Sequence, residues 1–176
     1  MTTLAVCIVI GVLTVVVAAA IRGSFVRQTA DHNFAAAVRH VDMLALNNLF
    51  SQEEEDFLQA ALPRSAFKRI RRLRTRAMIE YVSTIAYNAG LALRWSAQAQ
   101  SSDDPAIVET AKSIGRIALE VRVRALQAIC ILTVSLVFPN IRSARLFPIQ
   151  TYARLKAALV ASGTLTGEAL QIATHL

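Results

Sequence analysis

The hydrophobic and polar positions along the chain divide it into one uninterrupted apolar run and a longer region with a helical period. Residues 4–21 contain no charged side chain, and Arg22 and Arg27 follow the run closely. An α-helix of this length measures about 27 Å, close to the roughly 30 Å hydrocarbon core of a bilayer. The run therefore predicts a transmembrane helix, and residues 1–23 are assigned as a membrane anchor.

The same run has two other interpretations, a cleaved secretory signal and a buried helix of a globular domain. Ala18, Ala19 and Ala20 would supply the small residues of a cleavage site. A secretory signal normally begins with Lys or Arg, whereas the first cations here follow the run, so a retained anchor is favoured. Cations next to a span stay mostly in the cytoplasm. Arg22 and Arg27 thus predict a single-pass protein of the cell membrane, with its N-terminus outside and its main domain cytoplasmic.

The region after the anchor, residues 24–176, is predicted to be one all-α domain. Its prolines fall at boundaries, and no segment alternates apolar and polar residues as a strand would. A helical stripe predicts an amphipathic helix over residues 25–50. The stripe consists of Phe34, Val38, Val41, Ala45 and Leu49. Ser51 and Glu54 have the spacing of a capping box, which predicts a short separate helix over residues 52–62.

Two long helices are predicted over residues 65–100 and 105–138. The connection between them is short and polar, with Asp104 as the N-cap and Pro105 at the first helical position. A short link makes the two helices antiparallel neighbours. A further helix begins at Phe147 and Pro148, and Gly163 ends it. The predicted fold is therefore all-α, one transmembrane helix followed by an antiparallel bundle around the long hairpin, residues 65–138.

Charge is concentrated in the bundle. The net charge is +7, and every Lys and Arg follows the apolar run, so anionic partners are favoured. Seven cations lie within thirteen residues, and folding the hairpin about Ser102 brings two more to the same end. This set is the candidate site for an anionic surface or a partner: Arg64, Lys68, Arg69, Arg71, Arg72, Arg74, Arg76, Arg142 and Arg145.

This basic run has two competing interpretations. The acidic residues 53–56 lie just upstream and would neutralise part of it in an intramolecular charge network. Alternatively the run docks on the anionic head groups of a membrane, where each cation contributes about 1 kcal/mol. Nucleic acid is an unlikely partner because no recognised binding motif surrounds the run. The same fold places the apolar residues 125–138 beside it, as bundle core or as a membrane-facing contact.

Catalytic chemistry has little support in the sequence. It contains no glycine-rich phosphate loop, HExxH, CxxC or nucleophile elbow, and Cys7 and Cys130 stand alone. His32 and His40 are about 12 Å apart along a helix, too far to share a metal without other ligands. No metal or cofactor is predicted, although a membrane-bound enzyme or cofactor carrier that uses one of these histidines is a third class of function. One stripe of the first long helix carries Tyr81, Asn88 and Trp95. These side chains either pack in the core with their polar tips hydrogen-bonded or line a small-molecule pocket.

The leading functional expectation is a non-catalytic accessory or scaffolding subunit of a membrane protein complex, whose partners are integral membrane proteins. The single anchor, the missing catalytic pattern and the basic end of the hairpin motivate it. The alternative is an autonomous module that binds anionic lipid at the membrane surface through residues 64–76.

Overall fold

The computed structural model describes residues 37–137 and 149–163, and these form five α-helices. The helices are α1 Met43–Phe50, α2 Gln52–Ala61, α3 Arg64–Ala99, α4 Pro105–Val137 and α5 Ile149–Gly163. The described residues contain no strand, which confirms the predicted all-α class for this part of the chain.

Several predicted features lie outside the described residues. These are the anchor at residues 1–23 and the side chains of His32, Arg142 and Arg145. Within the described ranges no helix combines the length and the apolar character that crossing a membrane requires.

The long hairpin has the predicted helices, with ends that agree within about one residue. Helix α3 covers Arg64–Ala99 and α4 covers Pro105–Val137. The side chain of Asp104 accepts a hydrogen bond from the Ala106 amide at 2.8 Å, so this aspartate caps α4 as its sequence position predicts. The short link leaves α3 and α4 packed against each other along much of their lengths.

The register of the hairpin differs from the predicted one. The Ser96 hydroxyl donates to the carbonyl oxygen of Ala111 at 2.7 Å, and Arg122 lies over Gly90. These pairs place the midpoint of the hairpin a few residues after Ser102. Val137, the last described residue of α4, therefore lies opposite roughly residues 70–75 of α3. The first turns of α3 extend beyond it, and only the end of the basic run lies beside the apolar stretch, instead of the whole run as predicted.

Helix α1 packs antiparallel along α3, but it is shorter than the helix predicted over residues 25–50. Residues 38–42 are not helical. The Asp42 carboxylate accepts hydrogen bonds from the amides of Leu44 and Ala45, both at 3.0 Å, and so starts a new helix at Met43. The apolar stripe continued through this break because Val38 and Val41 both pack in or against the core, although neither is helical.

The core lies between the hairpin and the helices α1 and α5. Its largest fully buried apolar side chains come from all four helices: Leu46, Val82, Ile85, Ile114, Val121, Leu132, Tyr152, Leu155 and Leu159. Within the described part of the apolar stretch, residues 125–137, the buried positions are Ala125, Ala128, Leu132 and Ser135, whereas Val137 is 59% exposed. One face of this stretch is therefore bundle core.

Candidate functional site: a basic face on α3

Arg74, one of the seven clustered cations, stabilises the packing of the helices within the domain. Its Nη1 lies 3.0 Å from a carboxylate oxygen of Glu54, and its Nη2 donates to the carbonyl oxygens of Asn48 and Leu49 at 3.1 and 3.0 Å. These carbonyls belong to the last turn of α1, where intrahelical donors run out; the Asn48 carbonyl also accepts from the Ser51 amide at 3.1 Å. Arg74 therefore ties α1, α2 and α3 together, and its side chain is only 13% exposed.

Arg71 is held in a similar way. Its Nε lies 3.2 Å from a carboxylate oxygen of Glu55. The predicted charge network between residues 53–56 and the basic run is thus present for Arg71 and Arg74. It also explains why the predicted capping box is only half formed: Ser51 Oγ accepts from the Glu54 amide at 3.3 Å, while the Glu54 carboxylate is used by Arg74.

The other five cations of the run are exposed and form the basic face. This face consists of Arg64, Lys68, Arg69, Arg72 and Arg76. Four of them follow each other at intervals of four residues, so they form one stripe about 18 Å long on α3. Among the residues that the structure describes, none of the five has a carboxylate within ion-pair distance. Leu73 lies in the same turns and is 56% exposed.

The electrostatics of the basic face favour an anionic ligand. Like charges four residues apart on a helix repel one another, each pair by a few tenths of a kcal/mol. A bound anion removes this repulsion. The charges stand on a helix that α1, α2 and α4 hold in place, so little conformational entropy is lost from the backbone on binding. The face can therefore bind anions.

The buried polar residues of α3 have structural partners. Asn88 is 1% exposed, its Oδ1 accepts from the Arg39 amide at 3.1 Å, and its Nδ2 donates to the Arg39 carbonyl at 2.8 Å and to Tyr152 Oη at 3.1 Å. Burial raises the pKa of Tyr152, an effect that the hydrogen bond from Asn88 opposes. Trp95 is also buried. Core packing with polar tips, one of the two predicted interpretations, describes Asn88 and Trp95.

Sequence reasoning missed Tyr152 and the backbone of Arg39 as the partners of Asn88. No short-range signal indicates them, because they lie 64 and 49 residues away along the chain. The guanidinium of Arg39 also lies 4.4 Å from the centroid of the Tyr87 ring. Arg39, in the non-helical segment before α1, is thus held in place through both its backbone and its side chain.

Metal-ligating side chains and the one described cysteine were the other candidates for a functional group within residues 37–137 and 149–163. These residues contain no cluster of three or more His, Cys, Asp or Glu side chains that could hold a metal ion. Burial raises the pKa of the half-buried Cys130 thiol, which lowers its thiolate fraction and its reactivity. Comparison of the chain with protein-family models, curated proteins and solved structures finds no match.

Proposed function

We propose that this protein is a non-catalytic accessory or scaffolding subunit of a membrane protein complex. Residues 1–23 anchor it as a single transmembrane helix, and the helical domain lies in the cytoplasm, where the basic face contacts acidic surfaces of integral membrane partners. The observation that supports this proposal most is that the cations of one run have two different roles. Arg71 and Arg74 hold the domain together, while five neighbours remain exposed on a single face.

The experiment that tests the proposal is purification of the full-length protein in mild detergent, followed by native electrophoresis and mass spectrometry. We expect a companion membrane protein in fixed stoichiometry. Reversing three charges of the basic face, in the variant R69E/R72E/R76E, should remove the companion. The matched control K112E/R116E/R154E changes the net charge equally at exposed positions outside the face and should keep it. Migration as a lone monomer would contradict the proposal, as would equal loss in both variants.

A second function is favoured by the exposed Leu73 within the basic face. An apolar side chain among cations suits the surface of an anionic membrane, where Lys and Arg bind head groups and the apolar residue enters the interface. In this proposal the domain is an autonomous lipid-binding module and needs no protein partner.

Lipid binding is tested with the fragment 24–176, after circular dichroism has verified its helical content. It should bind vesicles that contain phosphatidylserine, and binding should weaken as salt rises because exposed charges are screened. Leu73→Ala should weaken binding at high salt more than at low salt, since it removes the contribution that salt does not screen. Unchanged binding by R69E/R72E/R76E would count decisively against this function.

A further inference from the structure

Helix α4 carries a second, largely apolar stripe that points away from the core. Leu119, Val123 and Val137 are 54%, 46% and 59% exposed, and half-buried residues lie between them at alternating intervals of four and three. This α4 stripe is about 27 Å long and consists of Leu119, Val123, Leu126, Cys130, Thr133 and Val137. Alternating intervals of four and three are typical of the seam between two packed helices. The α4 stripe therefore has the pattern of a helix-packing surface.

The α4 stripe and the basic face lie on the same side of the hairpin. Val123 is two residues from the buried Val121, so it lies about 200° around α4 from the core. Arg72 and Arg76 have the same relation to Arg74, which points to α1 and α2. Because α1 and α5 pack on the core side of the hairpin, both rows belong to its other broad side, which we name the open face.

The two rows of the open face run side by side. Val137 lies opposite roughly residues 70–75 of α3, so Arg72 and Arg76 flank one end of the α4 stripe. From there the stripe continues towards the hairpin turn. The axes of packed helices are about 8–10 Å apart. A helix that lies along the open face would therefore contact the apolar stripe and the cations together.

The charges of the open face argue against an occupant from this protein. The net charge is +7, so a second copy would bring another cationic open face against the first. The segments outside the described residues, 1–36, 138–148 and 164–176, contain only two acidic residues, Asp31 and Glu168. Neither a second copy nor these segments can supply a row of carboxylates to the basic face.

The composition of the open face also favours a helix over a lipid surface. Glu80 is exposed one turn after Arg76, and an anionic membrane would repel it, whereas a helix can place a cation opposite it. Helices that lie in a membrane interface commonly present Trp, Phe and Leu. The α4 stripe instead includes Cys130 and Thr133, whose hydroxyl is already bonded to the Ile129 carbonyl oxygen at 2.7 Å.

We propose that the open face binds one amphipathic helix of a protein partner. The apolar side of that helix packs on the α4 stripe, and acidic residues along its edge pair with Arg69, Arg72 and Arg76. The apolar contact supplies affinity, and the charged contact selects the partner and fixes its direction. This inference rests on the proposed function, because it names the structural element by which an acidic partner contacts the basic face.

The double variant L119Q/V123Q tests the apolar half of the site. Both positions are exposed, and they lie about 21–27 Å from Val137 along α4, so the basic face is unchanged. We expect the full-length variant, purified in mild detergent, to retain at least about tenfold less companion protein than the wild type. The matched control L44Q/V160Q removes the same two side-chain types from exposed positions outside the open face and should retain the companion. Circular dichroism verifies that both variants are folded.

Two synthetic peptides test the chemistry of the partner. Each has three heptads with Leu at positions a and d, and positions e and g are Glu in one peptide and Lys in the other. Fluorescence anisotropy measures their binding to the full-length protein in phosphatidylcholine nanodiscs. The Glu peptide should bind at least about tenfold more tightly than the Lys peptide, and R69E/R72E/R76E should remove this preference. L119Q/V123Q should weaken binding of the Glu peptide.

The outcomes separate this inference from the proposed function. If R69E/R72E/R76E loses the companion and L119Q/V123Q keeps it, the inference is wrong and the proposed function stands. If both variants keep it, both are wrong. Failure of the wild-type protein to bind the Glu peptide also contradicts the inference.

Other occupants of the open face have their own signatures. A wild-type dimer in sedimentation that L119Q/V123Q dissociates would identify a second copy. Binding to phosphatidylserine vesicles that L119Q/V123Q abolishes would identify a membrane surface. Either result would overturn the proposal of a partner helix.

Discussion

At the scale of single residues, Asn88 joins three separate segments of the molecule by hydrogen bonds. One buried amide side chain pairs with both the N–H and the C=O of Arg39 and also reaches Tyr152. A buried amide satisfied in this way specifies one arrangement of its neighbours, because any other arrangement leaves polar groups without partners. Asn88 therefore defines where the segment before α1 and the helix α5 meet α3.

Replacement of Asn88 should be among the most destabilising single changes in the bundle. Asn88→Ala leaves a cavity and the Arg39 backbone unsatisfied, and we expect it to reduce the free energy of unfolding by about 2–4 kcal/mol. Asn47→Ala, at an exposed position of α1, should change it by less than about 0.5 kcal/mol. Urea unfolding followed by circular dichroism measures both. Equal effects of the two variants would show that the buried bonds contribute nothing.

Gly115 allows a close approach between α3 and α4. A Cβ at this position would overlap the buried Ser96 Oγ, which is itself bonded to the Ala111 carbonyl. Gly115→Ala should therefore destabilise the protein by about 1–3 kcal/mol, although Ala is the better helix former by about 1 kcal/mol. The double variant S96A/G115A removes the overlap and should recover most of the loss. A stabilised single variant would contradict this interpretation.

At the scale of elements, the sequence pattern correctly predicted where a helix starts when the helix begins with a capping residue. Asp104 and Pro105 mark the start of α4, Ser51 marks α2, and the structure begins both helices there. The break at residues 38–42 was not predictable from periodicity. Asp42 is a local signal for the helix start that follows the break. The bonds that hold the non-helical segment join Arg39 to Asn88, 49 residues away, and leave no local signal.

The candidate site was predictable only in part, for a similar reason. Clustered cations are visible in the sequence, but which of them the fold uses depends on the approach of α2 to α3. Because α2 lies against α3, Arg71 and Arg74 form ion pairs with Glu55 and Glu54 and are not part of the exposed basic face. The register of the hairpin was also not predictable, because a short polar link leaves it free to shift by a few residues.

Arg74 should control the docking of α1 and α2. We expect Arg74→Ala to reduce the free energy of unfolding by about 1.5–3 kcal/mol, because it removes the ion pair with Glu54 and the charged hydrogen bonds to the last carbonyls of α1. The exposed Arg72 provides the matched variant, Arg72→Ala, which should have almost no effect.

Hydrogen exchange locates the effect of Arg74→Ala. The amides of α1 and α2 should exchange faster in this variant, while those in the middle of α4 keep their protection. Uniformly faster exchange along the chain would mean that Arg74 contributes to global stability rather than to local docking.

At the scale of the whole molecule, the buried Tyr152 should make stability depend on alkaline pH. Burial raises its pKa in the folded protein above the usual value of 10.0, so the folded state holds this proton more tightly than the unfolded state. The corresponding stabilisation is complete below about pH 10 and is lost as pH rises through the folded-state pKa. Tyr152→Phe should be less stable at neutral pH, by about 1 kcal/mol for the lost hydrogen bond, but should lose less stability between pH 9 and 11.

Urea unfolding at several pH values measures this dependence. Tyr81→Phe is the matched control, since it keeps Tyr152 and should lose stability with pH as the wild-type protein does. The same alkaline slope in Tyr152→Phe and in the wild-type protein would assign the dependence to other groups.

The pairing of Asn88 with Arg39 also has a mechanical consequence. Residues 37–42 connect the rest of the bundle to the N-terminal segment, and Asn88 grips this connection through both backbone groups of one residue. A force applied to the N-terminal segment reaches α1 only through residues 37–42. The two bonds between Arg39 and Asn88 lie on this route ahead of α1, so they resist such a force before any hydrogen bond of α1 does.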